Sequence, residues 1–286
     1  MKKFLCILLA VIMTASLLTL ASCSEEKLSV GVQNGTTGFA YMNGDADWGF
    51  EGFSNVETKG YESGGLAMAD LMAGNIQYVV IDGDVARELS ASNEGTKVIE
   101  IPLTTESYGV AVDKNQADLL ASINEVLAEN EDAVQAIFDK YANVTDENSS
   151  AWEGATVPAG TVDTANADKQ LVVATNAEFA PFEFKVGENF AGIDMEIAKL
   201  IADELEMELV IVDMAFDSIT AALGNNGVDI GMAAMTINPA REKVVSFSTP
   251  YYTEAYQVII CKDDDNTFDN CKTTEEVVNT LKELGK

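Results

Sequence analysis

What most constrains the fold of this chain is an alternation of short apolar runs with amphipathic helical periods, broken once in the middle. Residues 28–33 (LSVGVQ) read as an apolar strand running into a Gly/Thr loop, and residues 76–82 (IQYVVID) read as a buried strand. Between them, residues 62–75 carry a helical period weakened by Gly64 and Gly65, because glycine costs a helix about 1 kcal/mol relative to alanine. Residues 109–112 (GVAV) add a strand. Residues 115–130 place Leu119, Leu120, Ile123, Val126 and Leu127 on one helical face, and a second helix follows through DAVQAIFDKYAN. Residues 143–168, rich in Ser, Thr, Ala, Gly, Asn and Asp, then lose all periodicity and read as a linker. The alternation resumes at Lys169 and ends in the helix TTEEVVNTLKELGK. Strands alternating with helices predict an α/β fold with largely parallel sheets.

The amino end has a different character. Lys2 and Lys3 precede an apolar run from Phe4 to Leu20, interrupted by Thr14 and Ser16 and closed by LASC at Leu20–Cys23. The run is short for a bilayer-spanning helix of about 20 residues, and small residues stand directly before the cysteine. Residues 1–22 therefore read as a lipoprotein signal that leaves Cys23 as the lipidated first residue. The formal net charge of −30 repels nucleic acid and anionic headgroups, but it does not choose a ligand. Histidine is absent, which excludes His-based catalysis and His-ligated metals. Cys6 lies in the signal. Cys261 and Cys271 either bond to each other in an oxidising compartment or stay as two thiols. No CxxC pair exists, so neither a zinc nor a thioredoxin-type site is expected.

Three stretches carry a family likeness: GIDMEIAKLIADEL at 192–205, MTINPAR ending at Arg241, and FSTPYY at 247–252. With these, residues 171–260 resemble the opening lobe of the extracellular solute-binding proteins of family 3, which deliver polar amino acids to ABC transporters. KLSVGVQNGTTG at 27–38 is similar to the second lobe of that family, which normally follows the first. Here it precedes it. The resemblance implies a two-lobed, periplasmic-binding-protein-like fold (type II) in a circularly permuted order. Two crossing strands, near SYGVAV and YQVII, would form the hinge. Lobe 2 would comprise 27–101 plus 262–286, and lobe 1 would comprise 105–142 plus 169–260. The linker 143–168 would join the family's usual carboxyl and amino ends. Surface loops tolerate such cuts and joins.

The resemblance also implies a binding site. A free amino acid carries an ammonium and a carboxylate, and burying both requires a partner for each. Arg241 matches the arginine that forks onto the ligand carboxylate, a job suited to a planar guanidinium. Thr36 and Thr37 match the second lobe's contribution to that carboxylate, at a helix N-terminus. Asp82 matches an aspartate that takes the ammonium, and Thr236 and Ala234 match a hydroxyl and a backbone carbonyl that share it. Many relatives have glycine where Ala234 stands. Phe179 and Phe216 match aromatics that pack on the ligand stem, while Phe182 reads as lobe 1 core. Asn176 stands where relatives vary between Asn, Asp and others and helps read the side chain, and Gln33 stands where some relatives place a lysine or another polar group; neither identifies the ligand. Each has an ordinary structural alternative: a solvated arginine, a threonine N-cap, a turn aspartate or a core phenylalanine. Glu178 and Glu183 read as solvated surface.

The function implied is a lipid-anchored extracytoplasmic receptor that binds a polar amino acid between two lobes and passes it to an ABC permease. Contacts to both lobes form only on closure, so occupancy is linked to shape. The expected partners are a free amino acid, permease subunits, and the membrane through the lipid on Cys23. The expected state is a monomer without cofactor, metal or catalytic residue. Two alternatives stand beside it. One is an extracellular enzyme of the same fold, of the arogenate or prephenate dehydratase kind, which product formation would reveal. The other is a rearranged gene product with lost function, which the lack of a cooperative melt would reveal.

Overall fold

The computed structural model describes residues 28–142, 152, 154, 156–225 and 227–285. The expected signal, the lipidation site Cys23 and residues 143–151 of the expected linker lie outside the described residues. From the amino end the elements are β1 (Ser29–Gln33), α1 (Thr37–Asn43), β2 (Glu57–Tyr61), α2 (Gly64–Ala73), β3 (Tyr78–Asp82), α3 (Gly83–Ser92) and β4 (Thr96–Ile99). Next come β5 (Glu106–Tyr108), β6 (Ala111–Asp113), α4 (Ala117–Glu129), α5 (Glu131–Tyr141), β7 (Val157–Pro158), β8 (Gln170–Thr175), β9 (Glu178–Phe179), β10 (Glu183–Val186) and β11 (Asn189–Ala191). The remainder is α6 (Ile193–Glu204), β12 (Glu208–Asp213), α7 (Ile219–Ala222), β13 (Ile230–Gly231), β14 (Val245–Phe247), β15 (Tyr252–Ala255), β16 (Gln257–Lys262) and α8 (Thr274–Glu283).

Among the described residues, two mixed α/β lobes are built around separate sheets. The lobe 2 sheet has the order β2-β1-β3-β16-β4. Its strands β1 and β3 are buried along their whole length, and period-2 alternation divides β3 between two layers. Tyr78 and Val80 pack with Val277 and Leu281 of α8 on one face. Val79 and Ile81 pack with Leu71 of α2 and Leu89 of α3 on the other. Each such fully buried apolar side chain contributes about 1.5–3 kcal/mol. The lobe 1 sheet has the order β12-β8-β13-β6-β14, and α6 covers one side of it through Ile193, Ile197 and Ile201. Gly192 starts α6 at φ 125°, where a Cβ would stand 2.1 Å from the Phe182 carbonyl oxygen. Between the lobes, β5 pairs antiparallel with β15, so the chain crosses twice at one place.

Several expectations shift. The helix expected over 62–75 is confined to Gly64–Ala73 by the Ser63 N-cap and by Gly74 at φ 79°. Residues 257–260, expected in lobe 1, belong to β16 in the lobe 2 sheet, between β3 and β4. A strand buried on both faces needs neighbours on both edges, and the crossing at β15 delivers it there. The expected linker is not wholly irregular: Val157 is buried and β7 extends a small sheet β7-β11-β10-β9 on lobe 1. Cys261 and Cys271 are free thiols at the α8 side of lobe 2. Among the described residues, no helix is long and apolar enough to cross a membrane.

Candidate functional site

The cleft between the lobes is lined from lobe 2 by Gln33, Thr36, Thr37, Ile81, Asp82 and Gln257. Lobe 1 supplies Asn176, Phe179, Glu183, Phe216, Ala233, Ala234, Thr236 and Arg241, and Tyr108 lines it from the hinge. Every side chain that the resemblance pointed to is among them. The free space is only about 20 Å³, room for roughly one water, because the lining groups bond to one another across the cleft.

Arg241 begins a tight turn whose backbone is fixed by Asn238, the Oδ1 of which accepts the N–H groups of Ala240 and Arg241 at 3.0 and 2.9 Å. Its side chain is 7% exposed. Nη1 donates to the Thr236 carbonyl at 2.8 Å and Nη2 to the Gly35 carbonyl of lobe 2 at 3.0 Å. The Phe216 and Trp48 rings lie 5.2 and 5.0 Å from the guanidinium carbon. Burial lowers its pKa to about 10, so it remains cationic at neutral pH. Among the described residues no carboxylate pairs with it directly. A buried cation whose hydrogen bonds go to carbonyls keeps its charge available to an anion.

The two threonines behave differently. Thr36 caps α1: its hydroxyl donates to the Gln33 carbonyl at 2.7 Å and accepts from the Phe39 amide. Thr37 and Thr236, from opposite lobes, both donate to Glu106 Oε2, at 2.7 and 2.6 Å. Glu106 sits on the hinge strand β5 and gathers Thr104 as well. These hydroxyls thus serve a protein carboxylate in the closed cleft.

Asp82 ends β3 and is 2% exposed. Its carboxylate caps α3 through the Asp84 amide at 3.1 Å and accepts the Tyr108 hydroxyl. Burial pushes its pKa up to about 8, with Asp84 and Glu106 adding to the rise. It is therefore both a helix cap and a cleft residue. Ala234 adopts φ +47°, which an L side chain rarely takes. Its N–H is held by Asp194 Oδ2 at 2.8 Å, and Tyr251 donates to the same carboxylate at 2.9 Å.

Gln33 Nε2 donates to Asn176 Oδ1 at 2.8 Å across the lobes, and Asn176 Nδ2 donates to the Met214 carbonyl. Gln33 Oε1 is buried without a donor. Glu183, expected at the surface with Glu178, is instead 1% exposed, while Glu178 is exposed. Glu183 Oε2 also lacks a donor, and burial beside Asp194 and Asp82 drives its pKa well up. Glu183 opens β10, whose pairing with β9 and β11 on either side leaves it buried along with its chain neighbours Phe182 and Phe184. Phe179 packs against the cores of both lobes, whereas Phe182 is fully buried in lobe 1. Sequence reading missed Trp48, Glu106, Tyr108 and Gln257. Among the described residues, no metal-binding group of His, Cys, Asp or Glu is present.

Residues 171–286 match the sequence profile of the bacterial extracellular solute-binding proteins, family 3. The chain is 40% identical over 95 residues to the arginine-binding extracellular protein ArtP of Bacillus subtilis (strain 168), a match covering 33% of this chain and 37% of that protein. It is 34% identical over 110 residues to ABC transporter arginine-binding protein 1 of Escherichia coli (strain K12), covering 38% and 45%. The chain thus spans less than half the length of these curated relatives. Among solved structures, it is similar to domain 1 of TmArgBP in its arginine-bound form, at 34% identity and a TM-score of 0.30, covering 43% of this chain and 100% of that one.

Proposed function

We propose that this chain, whose residues 171–286 belong to family 3 of the bacterial extracellular solute-binding proteins, binds a free amino acid with a cationic side chain between its two lobes. The observation that carries this reading is unpaired polarity of both kinds in one cleft. It is lined by a buried guanidinium without a carboxylate and by two buried acceptors without donors, Gln33 Oε1 and Glu183 Oε2. The ligand carboxylate would take Arg241 in bidentate fashion. Its ammonium would meet Asp82, the Ala234 carbonyl and Thr236. A guanidinium or ammonium tail would supply donors to Gln33, Asn176 and Glu183, with Phe179 and Phe216 against the stem. Without such partners, burying these charges would oppose binding.

Binding requires opening about the β5–β15 pair and closing again, because the contacts come from both lobes. No covalent step is proposed. The receptor would be held outside the cell through the lipid on Cys23 and hand its cargo to an ABC permease. The order of the lobes reads as a circular permutation. The lobe 2 sheet assembled from β1 to β4 and from β16 supports this, as does the return of α8 to the β1 side of that lobe.

A thermal-shift screen of the twenty amino acids tests the reading, since a ligand bound only by the folded state raises the melting temperature. Arginine or lysine should give the largest rise. A larger rise with glutamate or an apolar amino acid would contradict the cationic assignment.

A further inference from the structure

We propose that the turn Asp45–Phe50 of lobe 2 is a closure latch whose indole, Trp48, seats on Arg241 of lobe 1 and sets how long a bound amino acid stays. The inference rests on the amino-acid reading of the cleft, but it concerns a residue that does not line it. Trp48 lies 5.0 Å from the guanidinium carbon and Phe216 lies 5.2 Å from it, so aromatic rings of both lobes meet one cation. A second link runs beside it: Lys243 Nζ of lobe 1 reaches Asp47 Oδ1 at 2.6 Å.

The turn is built to hold the indole in place. Asp45 and Phe50 exchange backbone hydrogen bonds at 2.9 Å in both directions. Asp45 Oδ1 accepts the amides of Asp47 and Trp48 at 2.8 and 3.3 Å. The Phe50 ring sits edge-on to Tyr41 at 5.2 Å, and Tyr41 also meets Phe53 of the lobe 2 core at 5.6 Å. Trp48 is therefore carried by lobe 2 as a rigid projection while its target belongs to lobe 1. Contacts between lobes are made on closing and lost on opening, so they slow release far more than they speed capture. The indole contact, with a buried guanidinium, outweighs the ion pair, whose side chains are 57% and 70% exposed. Trp48 is thus a positioning residue that acts through Arg241.

The test measures dissociation of labelled L-arginine from the full-length protein by rapid filtration. Trp48→Ala should release it about tenfold faster, with association and the melting temperature of the free protein little changed. Trp48→Phe should recover much of the loss, and Asp47→Asn should have a small effect. In a Trp152→Phe background, where Trp48 is the remaining tryptophan, its emission should shift on adding L-arginine. Wild-type release rates in Trp48→Ala, or an unchanged Trp48 emission on saturation, would overturn the latch while leaving the amino-acid site intact. So would an equal loss in association and free-state melting, which would make the role structural. An effect of Asp47→Asn as large as that of Trp48→Ala would move the role to the ion pair and overturn the indole assignment. Failure of the wild-type protein to bind either L-arginine or L-lysine would overturn the cationic reading and the latch with it.

Discussion

At the scale of single residues, the cleft is organised by charges whose partners are missing or mismatched within the protein. Arg241 is the sharpest case. Its burial is tolerated because two carbonyls accept its protons, not because a carboxylate neutralises it. Arg241→Ala should weaken amino-acid binding by about 2–5 kcal/mol while the protein still melts cooperatively; calorimetry and a thermal melt check both halves. Asp82 gives a pH signature. Its folded pKa of about 8 lies far above the unfolded value of about 3.9, so the native state holds the proton more tightly. Its contribution to folding stability is complete below about pH 4 and is lost as pH rises through about 8. A ligand ammonium favours the carboxylate, so binding near pH 6–7 should release a proton and tighten as pH approaches 8. Calorimetry in buffers of different ionisation enthalpy should detect the proton, and Asp82→Asn should abolish this part of the linkage.

At the scale of elements, the site depends on how segment ends are held. Ala234 follows β13 in a left-handed conformation that glycine would accept without strain. The Asp194–Tyr251 pair on the neighbouring α6 and β15 side holds it there. Ala234→Gly should leave the fold intact, or stabilise it by up to about 1 kcal/mol through relief of strain. Asp194→Asn should loosen the segment and weaken binding, and amide exchange at Ala234 reports it directly. Gly35 plays a related part between β1 and α1. It has φ +75°, its carbonyl accepts from Arg241, and a Cβ there would stand 2.9 Å from Asp217 Cβ of the other lobe. The elements themselves were legible because β1 and β3 are short apolar runs and α4 carries a clear helical period. Glu183 was misread because its inward direction depends on the pairing of β10 with β9 and β11, which no local period records.

At the scale of the whole molecule, the prediction concerns chain order. If residues 143–168 bridge two ends that lie free in the usual order of the lobes, their connection carries little of the stability. A gene reordered as 169–286 followed by 27–142 should then give a protein with the same circular dichroism and the same amino-acid affinity. Long connections add only a slowly growing closure entropy, whereas the packed sheets of both lobes are retained. The described part of this segment adds β7 to the edge of lobe 1, so the reordered chain should melt slightly lower once that strand begins a terminus. An unfolded product, beside a natural chain that folds, would count against permutation.

The sequence by itself determined the α/β class, the strand and helix periods, and the motif-bearing residues from Asn176 to Arg241. These depend on near neighbours: a period of two or 3.6, a cap, or a short run such as TINPAR. Only the tertiary structure decided that β16 completes the lobe 2 sheet. It alone joined Thr37 and Thr236 at Glu106, turned Glu183 inward, and set Trp48 over Arg241. Those pairings link residues far apart in the chain. Their energies come from burial and closure, which exist only once both lobes have formed and met.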